Sequence, residues 1–134
     1  MRMSTAKRRD TGPEMLLRRE LHARGRRFRV ATKVPGNNRR TIDIAFPRQR
    51  LAVFVDGCFW HGCPEHGTQP RANSEWWIQK LAANKARDED TNRLLAERGW
   101  TVLRIWEHEP VAVAASSVED ALNRLKEVPP GRVD

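Results

Sequence analysis

One stretch organises the whole chain: Val53-Phe54-Val55-Asp56-Gly57-Cys58-Phe59-Trp60-His61-Gly62-Cys63-Pro64-Glu65-His66. It holds both cysteines, two of the four histidines, a carboxylate and a pair of adjacent aromatic rings. An apolar run of strand length, residues 51–55, leads directly into it and is typical of a central, buried strand. We therefore expect a metal site and a catalytic site at the end of that strand.

The length of 134 residues suits one domain with one core. We expect a basic flexible arm over residues 1–10, a single domain over 11–128 and a frayed tail over 129–134. No segment approaches the roughly 20 apolar residues of a membrane span. The first ten residues lack the apolar core of a secretory signal, so a cytoplasmic location follows by default.

The positive charge is concentrated in the first part of the chain. Residues 1–50 carry 15 Lys and Arg against 4 Asp and Glu, a net of +11, whereas residues 51–134 carry 10 against 13, a net of −3. This asymmetry indicates either a polyanionic partner, most often nucleic acid, or a merely solvated surface.

Upstream of the central stretch, the pattern predicts a helix and a hairpin. The helix begins at Thr11 to Glu14, buries Leu17 and Leu21, and ends at Gly25. A first basic strand covers residues 27–30. A second, over residues 41–46, places Ile42, Ile44 and Phe46 on one face and Asp43 on the other, and a short turn joins it to the strand at residues 51–55.

Downstream, the pattern predicts a strand–helix–strand crossover. A long helix runs from Ser74 to Arg98, and its polar middle, residues 84–93, borders either solvent or a functional groove. A strand over residues 100–106 then lies beside residues 51–55, so that His108 returns to the central stretch. Ser116 or Ser117 caps a last short helix. The fold class is therefore α/β, with a mixed central sheet flanked by helices.

Four Cys and His side chains have the composition of a structural zinc site. Cys58, Cys63 and His66 lie within nine residues of one another, and His108 can supply the fourth ligand from the neighbouring strand. With four protein ligands the site is closed and would stabilise the loop. His61 could replace His66 as a ligand, and a disulfide is the second choice for the cysteines.

Four carboxylates could form a hydrolytic site: Asp43, Asp56, Asp88 and Glu14. Clustered carboxylates hold Mg²⁺, which stabilises charge on a phosphate under attack. His61 could activate or position water. Each acid alone is more often a surface charge, so this hypothesis depends on their meeting in space.

Aromatic residues are the third ingredient. Phe59 and Trp60 lie inside the polar loop, where two large rings are hard to bury, and Trp76 and Trp77 begin the long helix, where one of them is expected in the core. Apolar side chains pushed between base pairs open a duplex.

These residues, taken together, resemble the very-short-patch-repair (Vsr) mismatch endonucleases, which have a restriction-endonuclease-like fold related to the PD-(D/E)xK nucleases. The most specific part is Gly57-Cys58-Phe59-Trp60-His61. Further matches span most of the chain: Arg9-Asp10-Thr11 with Glu14, residues 27–30, Asp43, Trp77, Asn84, Arg87-Asp88, and the segment from Gly99-Trp100 to Trp106-Glu107.

The resemblance implies a DNA endonuclease that uses Mg²⁺ and nicks one strand at a T:G mismatch, leaving a 5′-phosphate. Asp43 would bridge Mg²⁺ ions, the Val55 carbonyl would be a metal ligand, and His61 would activate the attacking water. Asp88 and Glu14 would orient metal-bound waters and that histidine.

The remaining implied roles concern zinc and DNA. Cys58, Cys63, His66 and His108 fall at or beside the structural zinc ligands, as a set shifted by one residue at His66. The side chains that would contact DNA are Phe59, Trp60 and Trp77 by intercalation, and Lys7, Arg8 and Arg9 through the backbone. A monomer suffices for one nick.

Asp56 is the main departure, because it stands where the best-known members carry a second catalytic histidine. A carboxylate there could bind Mg²⁺ directly. Two alternatives remain open: a less selective nicking or restriction-like endonuclease, and a zinc-stabilised DNA-binding module without catalysis.

Overall fold

The structure, a computed structural model, describes residues 12–57 and 74–125. Seven elements follow one another in these ranges: α1 (Gly12–Ala23), β1 (Arg29–Val34), β2 (Asn37–Phe46), β3 (Leu51–Asp56), α2 (Ser74–Glu97), β4 (Thr101–Trp106) and α3 (Val111–Arg124). The cysteines, the loop that contains them and the N-terminal basic residues lie outside the described ranges, as do both ends of the predicted domain.

The four strands form one mixed sheet in the order β1-β2-β3-β4. β1 pairs antiparallel with β2, and β2 antiparallel with β3, whereas β3 and β4 run parallel on either side of the crossover through α2. The predicted hairpin and crossover, and with them the mixed α/β architecture, are confirmed. The first strand lies later than predicted, at Arg29–Val34 instead of 27–30, because its pairing with β2 continues through Lys33.

The sheet separates two clusters of buried side chains. α1 and α3 cover one face, which we call the apolar face, where Ile44, Phe46, Leu51, Val53 and Ile105 meet the helices. α2 covers the other, which we call the polar face, where a smaller cluster includes Ala52, Phe54 and Leu95. Ile42 was predicted to share a face with Ile44, but it packs in this second cluster with Val34 of β1. Ala31 in β1 has a φ of 54°, which interrupts the regular strand geometry between these two parts of the hairpin.

Helix ends follow local chemistry at two glycines. Gly25 and Gly99, each with a φ of +82°, follow α1 and α2, and this left-handed conformation is the usual helix stop. The last helix was predicted to be short and capped by Ser116 or Ser117, which is wrong. It begins at Val111 after Pro110, whose ψ of 139° is extended, and both serines lie inside it because the alanine-rich segment from Val111 favours helix.

No helix within the described ranges combines the length and the hydropathy that crossing a bilayer requires.

Candidate active site

The hairpin strands part at the position of Asp43. Between β2 and β3, residue pairing extends only as far as Ile44 opposite Val53, so it stops one residue short of Asp43. The Asp43 carboxylate fills the opening, where its Oδ2 accepts the backbone N–H of Val55 at 2.9 Å. A side chain thus takes the place of a strand carbonyl, and an acid is fixed between two strands.

Burial has the largest effect on the pKa of Asp43. It raises the pKa of this carboxyl above its usual value, against the hydrogen bond from Val55, which lowers it. The charge of Asp56 raises the pKa further, and the charges of Arg104 and Arg18 lower it. An acid that is desolvated and close to a second carboxylate would gain from a nearby cation.

Asp43 shares a pocket with two of the other predicted acids. The pocket has a volume of about 250 Å³, and its lining includes Asp43, Asp56 and Asp88. The structure therefore brings three of the four predicted acids to one pocket. Asp88 comes from the polar middle of α2, so that segment does border a polar groove, as one of its two interpretations proposed.

Arg104 joins two of these carboxylates. Its Nη1 donates to Asp56 Oδ1 and Oδ2 at 3.0 and 3.2 Å and lies 3.7 Å from Asp88 Oδ1. Asp56 is only 7% exposed, and a buried carboxylate requires such a partner. The sequence prediction missed Arg104, although a charge inside the apolar run Val102-Leu103-Arg104-Ile105-Trp106 is a signal that a partner is near.

Arg40 and Thr91 also line the pocket, and the contacts of Arg40 hold its walls together. Arg40 on β2 donates from Nη1 to Asp90 Oδ2 at 2.8 Å and to Thr91 Oγ1 at 2.9 Å, both on α2. These contacts tie the helix that carries Asp88 to the strand that carries Asp43. Sequence reasoning also missed this connection, since residues 40 and 90 are far apart in the chain.

Glu14 is buried, but it does not line this pocket. It is 3% exposed on α1 and forms an ion pair of 2.5 Å with Arg18, one helical turn later. Arg18 is also one of the charges that act on Asp43. Glu14 is thus linked to the acid cluster through Arg18.

The pocket offers carboxylate oxygens to a divalent cation, but among the residues that the structure describes no three His, Cys, Asp or Glu side chains form a metal-binding group. Asp43, Asp56 and Asp88 present carboxylate oxygens in one pocket, and Mg²⁺ prefers oxygen ligands. Burial raises the pKa of Asp43 and so opposes its ionisation, which a bound cation would favour. Arg104 already forms an ion pair with Asp56, however, so the three acids are not equivalent as metal ligands.

The start of the Cys/His loop lies beside the end of β4. The backbone N–H of Glu107 donates to the Asp56 carbonyl at 2.9 Å, and His108 follows directly. Within residues 12–57 and 74–125, no three metal-ligating side chains come together as a metal-binding group. Cys58, Cys63 and His66 lie outside the described residues, as does His61.

The predicted DNA-contacting residues are only partly visible. Phe59, Trp60, Lys7, Arg8 and Arg9 lie outside the described ranges. Trp77 is 2% exposed and cannot stack on a base in this conformation, whereas its neighbour Trp76 is 56% exposed. The helical face of Trp77 thus turns inward, and that of Trp76 turns outward.

Comparison with known proteins decides the family. A sequence model described as "DNA mismatch endonuclease Vsr" matches residues 1–66. The type II nicking enzyme V.NaeI of Lentzea aerocolonigenes is 41% identical over 126 residues, which is 92% of this chain and 76% of that protein. The chain belongs to the Vsr family of DNA endonucleases.

Other relatives of this Vsr-family chain fall into two groups by name. The type II nicking enzyme V.XorIIP of Xanthomonas oryzae pv. oryzae is 41% identical over 112 residues, 80% of this chain and 77% of that protein. The DNA mismatch endonuclease Vsr of Escherichia coli K12 is 35% identical over 104 residues, 74% of this chain and 62% of that protein.

Proposed function

We propose that the chain is a Mg²⁺-dependent endonuclease that nicks one strand of duplex DNA at a T:G mismatch, in very short patch repair. The observation that carries the proposal is the Asp43 carboxylate fixed between parted strands, with Asp56 and Asp88 in the same pocket. The family membership supplies the substrate class. The relatives' names support both nicking and mismatch recognition.

Asp43 and the backbone carbonyl of Val55 would hold Mg²⁺, which when bound supplies positive charge beside the scissile phosphate. The oxygen of a water molecule attacks phosphorus, and the bond from phosphorus to the 3′-oxygen breaks. An imidazole nitrogen of His61 takes the proton of the attacking water, and the departing 3′-oxygen gains a proton from solvent. The products are a 5′-phosphate and a 3′-hydroxyl.

We further propose a structural zinc ion held by Cys58, Cys63, His66 and His108. The hydrogen bond between Glu107 and Asp56 supports this, because it brings the residue before His108 to the start of the loop. Zinc analysis of the purified full chain should give about one ion per chain. A content far below one would refute the site. Loss of zinc on replacing His61 but not on replacing His66 would mean that His61, and not His66, is the zinc ligand.

A nicking assay tests the function. Supply the protein with end-labelled duplexes that differ only in one T:G or one matched base pair, with Mg²⁺ or with EDTA. The proposal predicts one cut strand, only with Mg²⁺, and faster on the T:G duplex. Equal rates on both duplexes would instead support the less selective nicking enzyme.

Binding without cutting would identify the other alternative. If the protein retains labelled duplex in Mg²⁺ but leaves every strand intact, it is a DNA-binding module and the hydrolytic proposal fails.

A further inference from the structure

Arg104 stands out as the cation placed inside the acid cluster. Its strand, β4, lies parallel to β3 with Arg104 opposite Phe54, so its side chain emerges on the polar face. Its Cζ lies 4.3 Å from the centroid of the Phe54 ring, a cation–π contact. The guanidinium is therefore packed against the sheet instead of extending into solvent.

Hydrogen bonds fix the orientation of this guanidinium. Nε donates to Asn92 Oδ1 on α2 at 3.0 Å, and Nη1 donates to both oxygens of Asp56. Within the described ranges, Nη2 has no hydrogen-bond partner, and it belongs to a side chain that is 21% exposed and lines the pocket. Two of the three nitrogens are thus held by described residues, which leaves the third without a described partner.

The charges of the described pocket residues are consistent with one divalent cation. Among them, Asp43, Asp56 and Asp88 carry three negative charges when ionised, and Arg104 carries one positive charge, which leaves two negative charges. The other two arginines of the lining change this little. Arg40 is paired with Asp90, and Arg87 is exposed to solvent screening.

We propose that Arg104 takes the place of a second divalent cation: it neutralises Asp56, excludes it from metal coordination, and binds the phosphate that is to be cut. The pocket then holds one divalent cation, at Asp43. A guanidinium suits this role because it is planar, permanently charged and well matched to phosphate oxygens. The inference rests on the proposed function, since it assigns a role in the hydrolysis.

Direct metal binding is the first test, because it does not require cleavage. Titrate the full chain with Mn²⁺ and measure the stoichiometry and affinity by calorimetry. The wild type should bind one Mn²⁺ that Asp43→Asn loses, whereas Asp56→Asn should change the affinity less than about threefold. If Asp56→Asn abolishes Mn²⁺ binding as Asp43→Asn does, Asp56 is a metal ligand and the proposal is overturned.

Removal of the arginine gives the complementary result. Arg104→Met exposes Asp56 to the metal and should add a second Mn²⁺ or tighten binding at least about tenfold. Because this variant removes the guanidinium beside a buried carboxylate and could fold poorly, the double variant Arg104→Met with Asp56→Asn serves beside it and should bind one Mn²⁺. Arg93→Met, on the same helix as Asp88 but outside the pocket, is the control for loss of an arginine.

Single-turnover nicking at saturating Mg²⁺ tests the contact with phosphate. Loss of a preorganised positive charge should slow the double variant by about 10²-fold, with most of the rate recovered when Lys replaces Arg104 in the wild-type background. Rates equal to those of the wild type in the double variant would refute the contact. If the wild type itself cuts no duplex, the proposed function fails, while the Mn²⁺ titrations still decide whether Arg104 excludes Asp56 from the metal.

Discussion

The two faces of the sheet are built from alternate residues of the same strands, but they differ in the polarity of the side chains that they bury. On β3, Leu51 and Val53 point into the cluster with α1 and α3, whereas Phe54 and Asp56 point towards α2. The apolar face stays hydrocarbon along its whole length. On the polar face, Ala52 belongs to a hydrophobic cluster, whereas Asp56, further along the same strand, belongs to a network of charged side chains. Apolar packing and charged groups are thus distributed between the two faces by the two-residue period of a strand.

The largest loss of folding stability is expected on α2, the helix that covers the polar face, where two neighbouring rings can be compared. Trp77→Ala should cost about 3–5 kcal/mol of folding stability, because a ring that is 2% exposed leaves a cavity. Trp76→Ala should cost less than about 0.5 kcal/mol, since that ring is 56% exposed.

Urea unfolding of both variants measures the difference, and DNA affinity is the second measurement. Trp76→Ala should weaken DNA binding at unchanged stability. Equal destabilisation by the two substitutions would show that the inward and outward assignments of these rings are wrong.

A smaller loss is expected in the centre of the apolar face. Ile44→Ala should destabilise the fold by about 2–5 kcal/mol, because Ile44 is fully buried between the sheet and its helices. Val113→Ala, on the exposed side of α3, is the matched control and should change stability by less than about 0.5 kcal/mol. A cost below 1 kcal/mol for Ile44→Ala would mean that the apolar face is not the main source of stability.

The smallest effect is expected at Asp43, and it should have the opposite sign. Burial raises the pKa of Asp43, so the folded state binds this proton more tightly than the unfolded chain does, and ionisation opposes folding. As the pH rises from the ordinary value of 3.8 through the raised pKa, the wild type should therefore lose stability relative to Asp43→Asn.

Thermal unfolding in EDTA at a series of pH values measures this trend. Above the raised pKa, the Asn variant should melt a few degrees higher. Asp120→Asn, at an exposed position on α3, should show no such trend with pH. An Asp43→Asn variant that is less stable than the wild type at neutral pH would contradict the assignment of an uncompensated charge.

The sequence predicted the arrangement of elements better than the contacts between them. Apolar alternation, apolar runs of strand length and the strand–helix–strand order identified the hairpin, the crossover and the parallel pairing of β3 with β4, because these follow from local periodicity and length. The position of the last helix was missed, since Pro110 and the alanines after it were overlooked in favour of two serines.

The site was predicted in part for a similar reason. Residue type and family resemblance indicated Asp43, Asp56 and Asp88, and the structure brings them together. The parting of β2 from β3 depends on where pairing stops, and the bonds of Arg104 and Arg40 depend on how α2 packs on the sheet. Local sequence periodicity predicts neither the end of the pairing nor these bonds.

The most direct test of the account is the single-turnover rate of nicking by Asp43→Asn. The substitution keeps the size of the side chain and an oxygen for the Val55 N–H, but it removes the charge between the strands. The measurement uses a T:G duplex with saturating Mg²⁺, with Asp120→Asn as the control. We predict a rate at least about 10³-fold below that of the wild type, with Asp120→Asn unchanged. An Asp43→Asn rate within tenfold of the wild-type rate would contradict the claim that the parted strands hold the reaction centre.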